Sequence, residues 1–266
     1  MSALKDPKVF DLDSVNYDRV RPSYPEELFN DLIRLTEIPD EGSILEIGCG
    51  TGQATFPLAE KGYKMTCIDI GENLLKTAGI KGKRYPNVSF IHSSFEQWVP
   101  ENELFDVVMS ATAFHWIKPD IGYTKAATVL KDSGSIALFW NKPPTRLTGF
   151  ASDVQKVYRK VVPEWGDPQK QSIDDWIDEQ IRLIEDSQCF SEVVVRRYPW
   201  SISYSKNEYL RLLDTYSDHA TLDTARRTRL YEGIAELIDE NYNGRVQRPY
   251  LSVLFTARRA NSTQNL

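Results

Sequence analysis

No run of apolar residues in the chain is long enough to cross a bilayer. The opening stretch from Met1 to Val15 lacks the apolar segment of a signal peptide, so neither membrane insertion nor secretion is expected. Histidine is scarce. His92, His115 and His219 are the full set, and none stands at ligand spacing to a cysteine or a carboxylate cluster, so no metal site is expected. Cysteine is equally sparse, and Cys49, Cys67 and Cys189 form an odd set without metal spacing. Reduced thiols and a cytoplasmic setting fit best. Positive charge is not in excess: 32 Lys and Arg face 38 Asp and Glu, a net charge of -6. That balance argues against a broad duplex-binding surface. There is no G-x-S-x-G elbow, which removes the common serine-hydrolase arrangement.

What is present reads as one α/β domain with additions. The 266 residues are 41% hydrophobic and 26% charged, ordinary globular usage. Short apolar strands are expected at 43–47, 64–69, 88–92, 105–110 and 135–139, separated by helical patterns at 53–61, 73–78 and 123–130. That alternation predicts a doubly wound parallel sheet. Ser23, Pro25 and Glu26 suggest a capped helix start, and Ser205 with Glu208 a second capping box. Helical spacing returns at Val154, Val157, Tyr158 and Val161, and again from Ile173 to Ile184. Strand character appears at 193–198 and 251–257. The whole chain, 1–266, is expected to form one domain. Its core would occupy about 25–142, 188–202 and 246–260, helical lid additions about 143–187 and 203–245, and an N-terminal cap 1–24.

The most informative segment runs Ile44-Leu45-Glu46-Ile47-Gly48-Cys49-Gly50-Thr51-Gly52. It follows an apolar strand and precedes a helix, the context that gives a glycine loop meaning. Glycines let the backbone turn sharply and approach a ligand. Glu46 precedes the first glycine by two residues, and Asp69 ends the next strand, where an acid can accept hydrogen bonds from ribose hydroxyls. Dinucleotide loops usually run G-x-G-x-x-G; here the third glycine comes one residue early.

Leu45–Gly52 resembles motif I of the class I S-adenosylmethionine-dependent methyltransferases. Cys67-Ile68-Asp69-Ile70 and Phe105-Asp106-Val107-Val108 resemble the second-strand and fourth-strand motifs of the same family, and Leu130–Ser135 resembles the turn into its fifth strand. Tyr17–Pro25 and Ala113-Phe114-His115-Trp116 are similar to its small-molecule branch, the type 11 methyltransferases that include trans-aconitate methyltransferases. The resemblance implies a Rossmann-like, seven-stranded, mostly parallel sheet with helices on both faces and an antiparallel last strand. It also implies S-adenosylmethionine as cofactor and S-adenosylhomocysteine as product.

By that resemblance Gly48, Cys49, Gly50 and Gly52 line the methionine moiety, and Glu46 holds its amino group or the loop. Asp69 grips the ribose and Ile70 packs on the adenine. Ser94 and Phe95 take the place of adenine contacts, and Ser110 and Ala111 border the sulfonium. Tyr17 and Arg21 are expected in an N-terminal cap over the cofactor. Tyr24, His115, Trp116 and Trp140 are candidates for the acceptor side. His115 is the candidate catalytic base, with a substrate hydrogen bond or a structural role as the alternatives. A carboxylate acceptor would need cations rather than a base, with Arg19, Arg21, Lys142, Arg146 and Arg211 available. The reading is methyl transfer to a small molecule, with carboxylic acids among the acceptors. Methylation of RNA or protein, an NAD-dependent oxidoreductase and a non-catalytic cofactor-binding regulator remain alternatives.

Overall fold

The computed structural model describes residues 11, 13–100, 104–143, 148–166 and 172–260. Seven strands form one sheet in the order β3-β2-β1-β4-β5-β7-β6. They are β1 (Ser43–Ile47), β2 (Lys64–Asp69), β3 (Val88–His92), β4 (Phe105–Ala111), β5 (Leu130–Lys142), β6 (Phe190–Ser205) and β7 (Arg245–Arg259). The pairings from β3 through β5 are parallel, and β7 runs antiparallel to both β5 and β6. This is the Rossmann-like seven-stranded fold with an antiparallel last strand that the sequence predicts. Chain order reverses at β1, where β2 lies on one side and β4 on the other. At such a switch point loops diverge above the strand ends and leave a crevice.

Helices cover both faces. On one, α2 (Glu26–Thr36) and α3 (Thr55–Ala59) bury Leu28, Phe29, Leu32 and Leu58 against Ile44, Met109 and Phe139. On the other, α5 (Pro119–Thr128) and α7 (Ile173–Asp186) bury Tyr123, Ala126, Ile177 and Ile184 against Leu45, Val108 and Phe255. The alternation of β1, with Ile44 on one face and Leu45 on the other, follows from the two-residue period of a strand. Helix α4 (Glu72–Gly82) sits beside β2 and β3. Within the 143–187 addition, then, α7 is a sheet-covering helix whose apolar stripe faces the main core.

A third core lies beyond the sheet's end. Helices α6 (Phe150–Val161), α8 (Lys206–Asp214) and α10 (Thr224–Tyr242) join Tyr204, Val246 and Tyr250 of the β6–β7 ribbon around Leu212, Leu230, Ile234 and Ile238. A four-residue helix, α9 (Ser217–Ala220), lies between α8 and α10. The expected capping box forms at α8: the Ser205 hydroxyl caps Glu208 while the Glu208 carboxylate accepts from the Ser205 amide at 2.8 Å.

The structure differs from the sequence reading at two helix starts. Pro25, not Ser23, occupies the cap of α2 without a side-chain hydrogen bond. The Ser23 hydroxyl instead reaches the Gln53 carbonyl at 3.4 Å, so tertiary contact replaces the local capping box. The N-terminal cap, where no helix is expected from the sequence, contains α1 (Ser14–Val20), capped by the Asp13 side chain. This helix is too short to persist alone and is held by its neighbours. Ser14 bonds Thr77 of α4 at 2.8 Å, Asp18 pairs with Lys81, and Asn16 donates to the Arg211 carbonyl at 3.0 Å.

Candidate functional site

Strand β1 ends in a loop whose glycines take left-handed backbone, with φ of 71° at Gly48 and 56° at Gly50. At Gly48 a side chain is also excluded by space, since an added Cβ would lie 2.4 Å from that of Ala113. Ala113 follows β4, so this contact brings the ends of β1 and β4 together. At Gly50 the nearest atom to an added Cβ is Tyr17 Cε1, at 3.7 Å. The loop is fixed from below by backbone bonds. Gly48 donates to the Ile68 carbonyl at 2.8 Å and Gly52 to the Cys49 carbonyl at 2.9 Å.

Two acids support it. Asp69 accepts from the Gly50 amide at 2.7 Å and from the Gly71 amide at 2.8 Å, bridging the loops after β1 and β2. Burial raises its pKa, opposed by these amide bonds. Glu46 is 1% exposed and accepts from the Thr55 hydroxyl at 2.5 Å through Oε2, while Oε1 is buried without a partner. Burial pushes its carboxyl up to about 8, against the opposing bonds from Thr55 and Cys67.

The folded chain therefore holds a proton on Glu46 between the ordinary value of 4.5 and about 8, where the unfolded chain does not. Stability must fall as pH rises through that window. Glu46→Gln is expected to flatten this fall, measured by urea unfolding between about pH 5 and about pH 8. An equal slope in the variant would assign the pH dependence to other groups.

The cavity above the loop, about 300 Å³ in volume, is lined by Tyr17, Arg21, Tyr24, Glu46, Gly48, Cys49, Gly50 and Ala111. Of the other sequence candidates, Gly52, Asp69 and Ile70 lie outside the lining, although Asp69 touches the loop through Gly50. Ser94 accepts from the Gln97 amide at 3.2 Å in a tight turn. Phe95 is buried in the core beside Trp98. The Ser110 hydroxyl donates to the Ile47 carbonyl at 2.8 Å, tying β4 to β1.

His115, Trp116 and Trp140 are also absent from the lining. Trp140 points to the α7 face, where its ring meets Trp176 edge-on at 5.5 Å. Its indole Nε1 donates to His115 Nδ1 at 3.2 Å. An indole N–H can only donate, so Nδ1 carries no proton and the neutral ring holds its proton on Nε2. Desolvation, then the charge of Lys142, push the His115 pKa down to about 4 even though part of the ring meets solvent. The lone pair a base would use is already engaged.

The remaining lining residues were not site candidates in the sequence, and Thr112, Asn141, Tyr216, Arg248 and Tyr250 are among them. The Thr112 hydroxyl shares a 2.7 Å hydrogen bond with that of Tyr24. Asn141 donates to the Ser23 carbonyl at 2.9 Å and accepts from the Ser252 hydroxyl at 2.5 Å. Arg21 sits between the rings of Tyr17 and Tyr216, 4.9 and 4.8 Å from their centroids, and donates to the Thr215 carbonyl at 2.6 Å.

Arg248 is different. It lies over the rings of Tyr216 and Tyr250, at 5.4 and 5.2 Å, and no acid or hydrogen-bond acceptor among the described residues meets its guanidinium. The Tyr250 hydroxyl, in a residue only 6% exposed, likewise makes no hydrogen bond of normal geometry, with Tyr204 beside it. Of the cations expected from sequence, Arg19, Lys142 and Arg211 do not line the cavity, and Arg146 lies outside the described residues. No cluster of three or more metal-ligating side chains occurs among the described residues, and no described helix is long and apolar enough to cross a membrane.

Known proteins carry the same pattern. A family model described as a methyltransferase domain matches residues 44–134. An uncharacterised methyltransferase of Mycobacterium bovis is 25% identical over 246 residues, 91% of each chain. The malonyl-[acyl-carrier protein] O-methyltransferase of a Paenibacillus species is 24% identical over 216 residues, 76% of each. Among solved structures, a phosphoethanolamine N-methyltransferase of Haemonchus contortus, bound to phosphomonomethylethanolamine and S-adenosylhomocysteine, superposes with a TM-score of 0.54 at 16% identity. That match covers 94% of this chain and 57% of that one.

Proposed function

Since the chain is a class I S-adenosylmethionine-dependent methyltransferase, we propose that its acceptor is a small carboxylic acid, methylated to an ester in the cavity that Arg248 lines. The observation that carries this reading is the Arg248 guanidinium, half-buried in the cavity wall and met, among the described residues, by aromatic rings rather than by an acid. Removing a charge from water is costly unless an opposite charge compensates. A carboxylate supplies that charge in the fork geometry a guanidinium prefers. The Tyr250 hydroxyl, two residues further along the same strand face, adds a donor.

The cofactor fits the other end of the cavity. Gly48 and Gly50 leave the loop surface free of side chains, and the buried Glu46 Oε1, which no donor meets, would suit an ammonium group whose charge favours the ionised carboxylate. Asp69 would hold ribose hydroxyls by sharing its bonds to the loop amides, and Tyr17 of α1 and Arg21 just after it line the cavity beside the loop. When bound, S-adenosylmethionine supplies an activated methyl, so that a carbon–oxygen bond forms as the carbon–sulfur bond breaks and its electron pair stays on sulfur. The chain's part is to orient and to exclude water. A carboxylate is ionised at neutral pH and needs no base, which agrees with the engaged lone pair of His115. The O-methyltransferase named for malonyl-[acyl-carrier protein] among the relatives supports an acid acceptor. The helical unit of α6, α8 and α10 then serves as the lid.

The test is a calorimetric titration of the S-adenosylhomocysteine-loaded protein with a panel of small carboxylic acids and their primary amides. Acids should bind, and the matching amides should bind at least about tenfold more weakly, as the loss of a charge-assisted contact requires. Equal affinity for acid and amide would overturn the reading.

A further inference from the structure

Thr112 follows β4 with a φ of 58°, and it is the one β-branched residue among the described residues with left-handed backbone. A β-branched side chain is strained there, whereas glycine adopts the conformation freely. The turn itself has a structural reason, because it carries Ala113 into the space beside Gly48. Threonine does not. The amide of residue 112 donates to the Phe139 carbonyl at 2.8 Å whatever its side chain, and Thr112 is only half-buried. Local strain retained at a cavity wall points to a use for the side chain.

That side chain is held by Tyr24, 2.7 Å away, whose ring sits edge-on to Phe139 at 4.8 Å. Burial raises the Tyr24 pKa well above that of a free phenol, so its hydroxyl stays protonated. Two hydroxyls carry two protons, and their mutual bond uses one. The second proton remains for a ligand, and both residues line the cavity that Arg248 enters.

We infer that the Thr112–Tyr24 hydroxyl pair orients the methyl acceptor by donating one hydrogen bond to an acceptor oxygen. On the carboxylate reading, which this inference takes as its premise, that oxygen is the one not receiving the methyl. Arg248 neutralises the carboxylate and the hydroxyl pair fixes its rotation. No proton changes hands.

The experiment compares Thr112→Gly, Thr112→Ser and Tyr24→Phe in three readouts: the unfolding midpoint, S-adenosylmethionine affinity, and methyl transfer from labelled cofactor into a small-metabolite extract and an acid panel. Thr112→Gly should keep or raise the midpoint, since strain is relieved, and should leave cofactor affinity within about twofold. Transfer should fall at least about tenfold, mainly in kcat, because orientation is lost. Tyr24→Phe should lose transfer similarly, and Thr112→Ser should retain most of it. A lower midpoint for Thr112→Gly, or undiminished transfer, overturns the inference. Base-stable product label would remove the carboxylate reading while the same comparison still tests the hydroxyl pair. If no label appears in any protein, the midpoint of Thr112→Gly decides: a rise supports the pair and a fall overturns it.

Discussion

Arg248→Gln is expected to lower methyl transfer to acid acceptors at least about a hundredfold, equivalent to about 2.7 kcal/mol. S-adenosylmethionine affinity should stay within about twofold. The magnitude follows from the setting of the guanidinium. Among the described residues its neighbours are the rings of Tyr209, Tyr216 and Tyr250, and the proposed acid would supply the opposite charge. Hydrogen bonds to a charged group contribute roughly 1.5–3 kcal/mol, and a buried carboxylate left without one loses them in full. Glutamine keeps much of the volume and a donor but removes the charge and the fork. Steady-state kinetics with an acid acceptor and calorimetry with the cofactor check both halves. A variant that instead lost cofactor affinity would assign Arg248 to the cofactor's own carboxylate.

Gly50→Val is expected to abolish cofactor binding, a loss of more than about a hundredfold, while the chain still folds. Valine at a φ of 56° carries backbone strain of about 1–3 kcal/mol, which a stable domain of this size survives. An added Cβ meets its nearest atom, Tyr17 Cε1, at an ordinary 3.7 Å, so the fold has room for it. The branches of valine, however, would occupy the cavity between loop and α1. The contrast is Gly48, where the 2.4 Å approach to Ala113 makes any side chain a packing fault. Circular dichroism should show native helix content for Gly50→Val, with no heat on titration with S-adenosylmethionine. Binding that survived would move the cofactor away from this loop.

The half of the candidate site proposed for the cofactor was legible because its signals are local. A buried strand, three glycines at fixed offsets and an acid ending the next strand all fall between Ser43 and Asp69, and the fold returns them to one place. The half proposed for the acceptor is assembled from positions far apart in the chain: Tyr24, Thr112, Asn141, Tyr216, Arg248 and Tyr250. Arg248 was concealed by its neighbour. Pro249 within Arg245-Val-Gln-Arg-Pro-Tyr argues against a central strand. Beyond Leu251, however, β5 no longer pairs with β7, so Pro249 lies where β7 pairs only with β6 and one side needs no amide. A signal did exist, since Val246, Arg248, Tyr250 and Ser252 continue the two-residue period of the apolar run that follows. The setting of His115 was illegible for another reason. The sequence places it beyond β4, but only the structure shows Trp140 donating to its Nδ1.

Ester formation on a small acid can be read from the fate of a labelled methyl. The protein is incubated with S-adenosylmethionine carrying the label and with the acid panel, and the product is treated with mild base. Label should be released as methanol, as a methyl ester requires, and should be lost in Arg248→Gln. Label that resists base, or that forms equally well without the Arg248 charge, would contradict it.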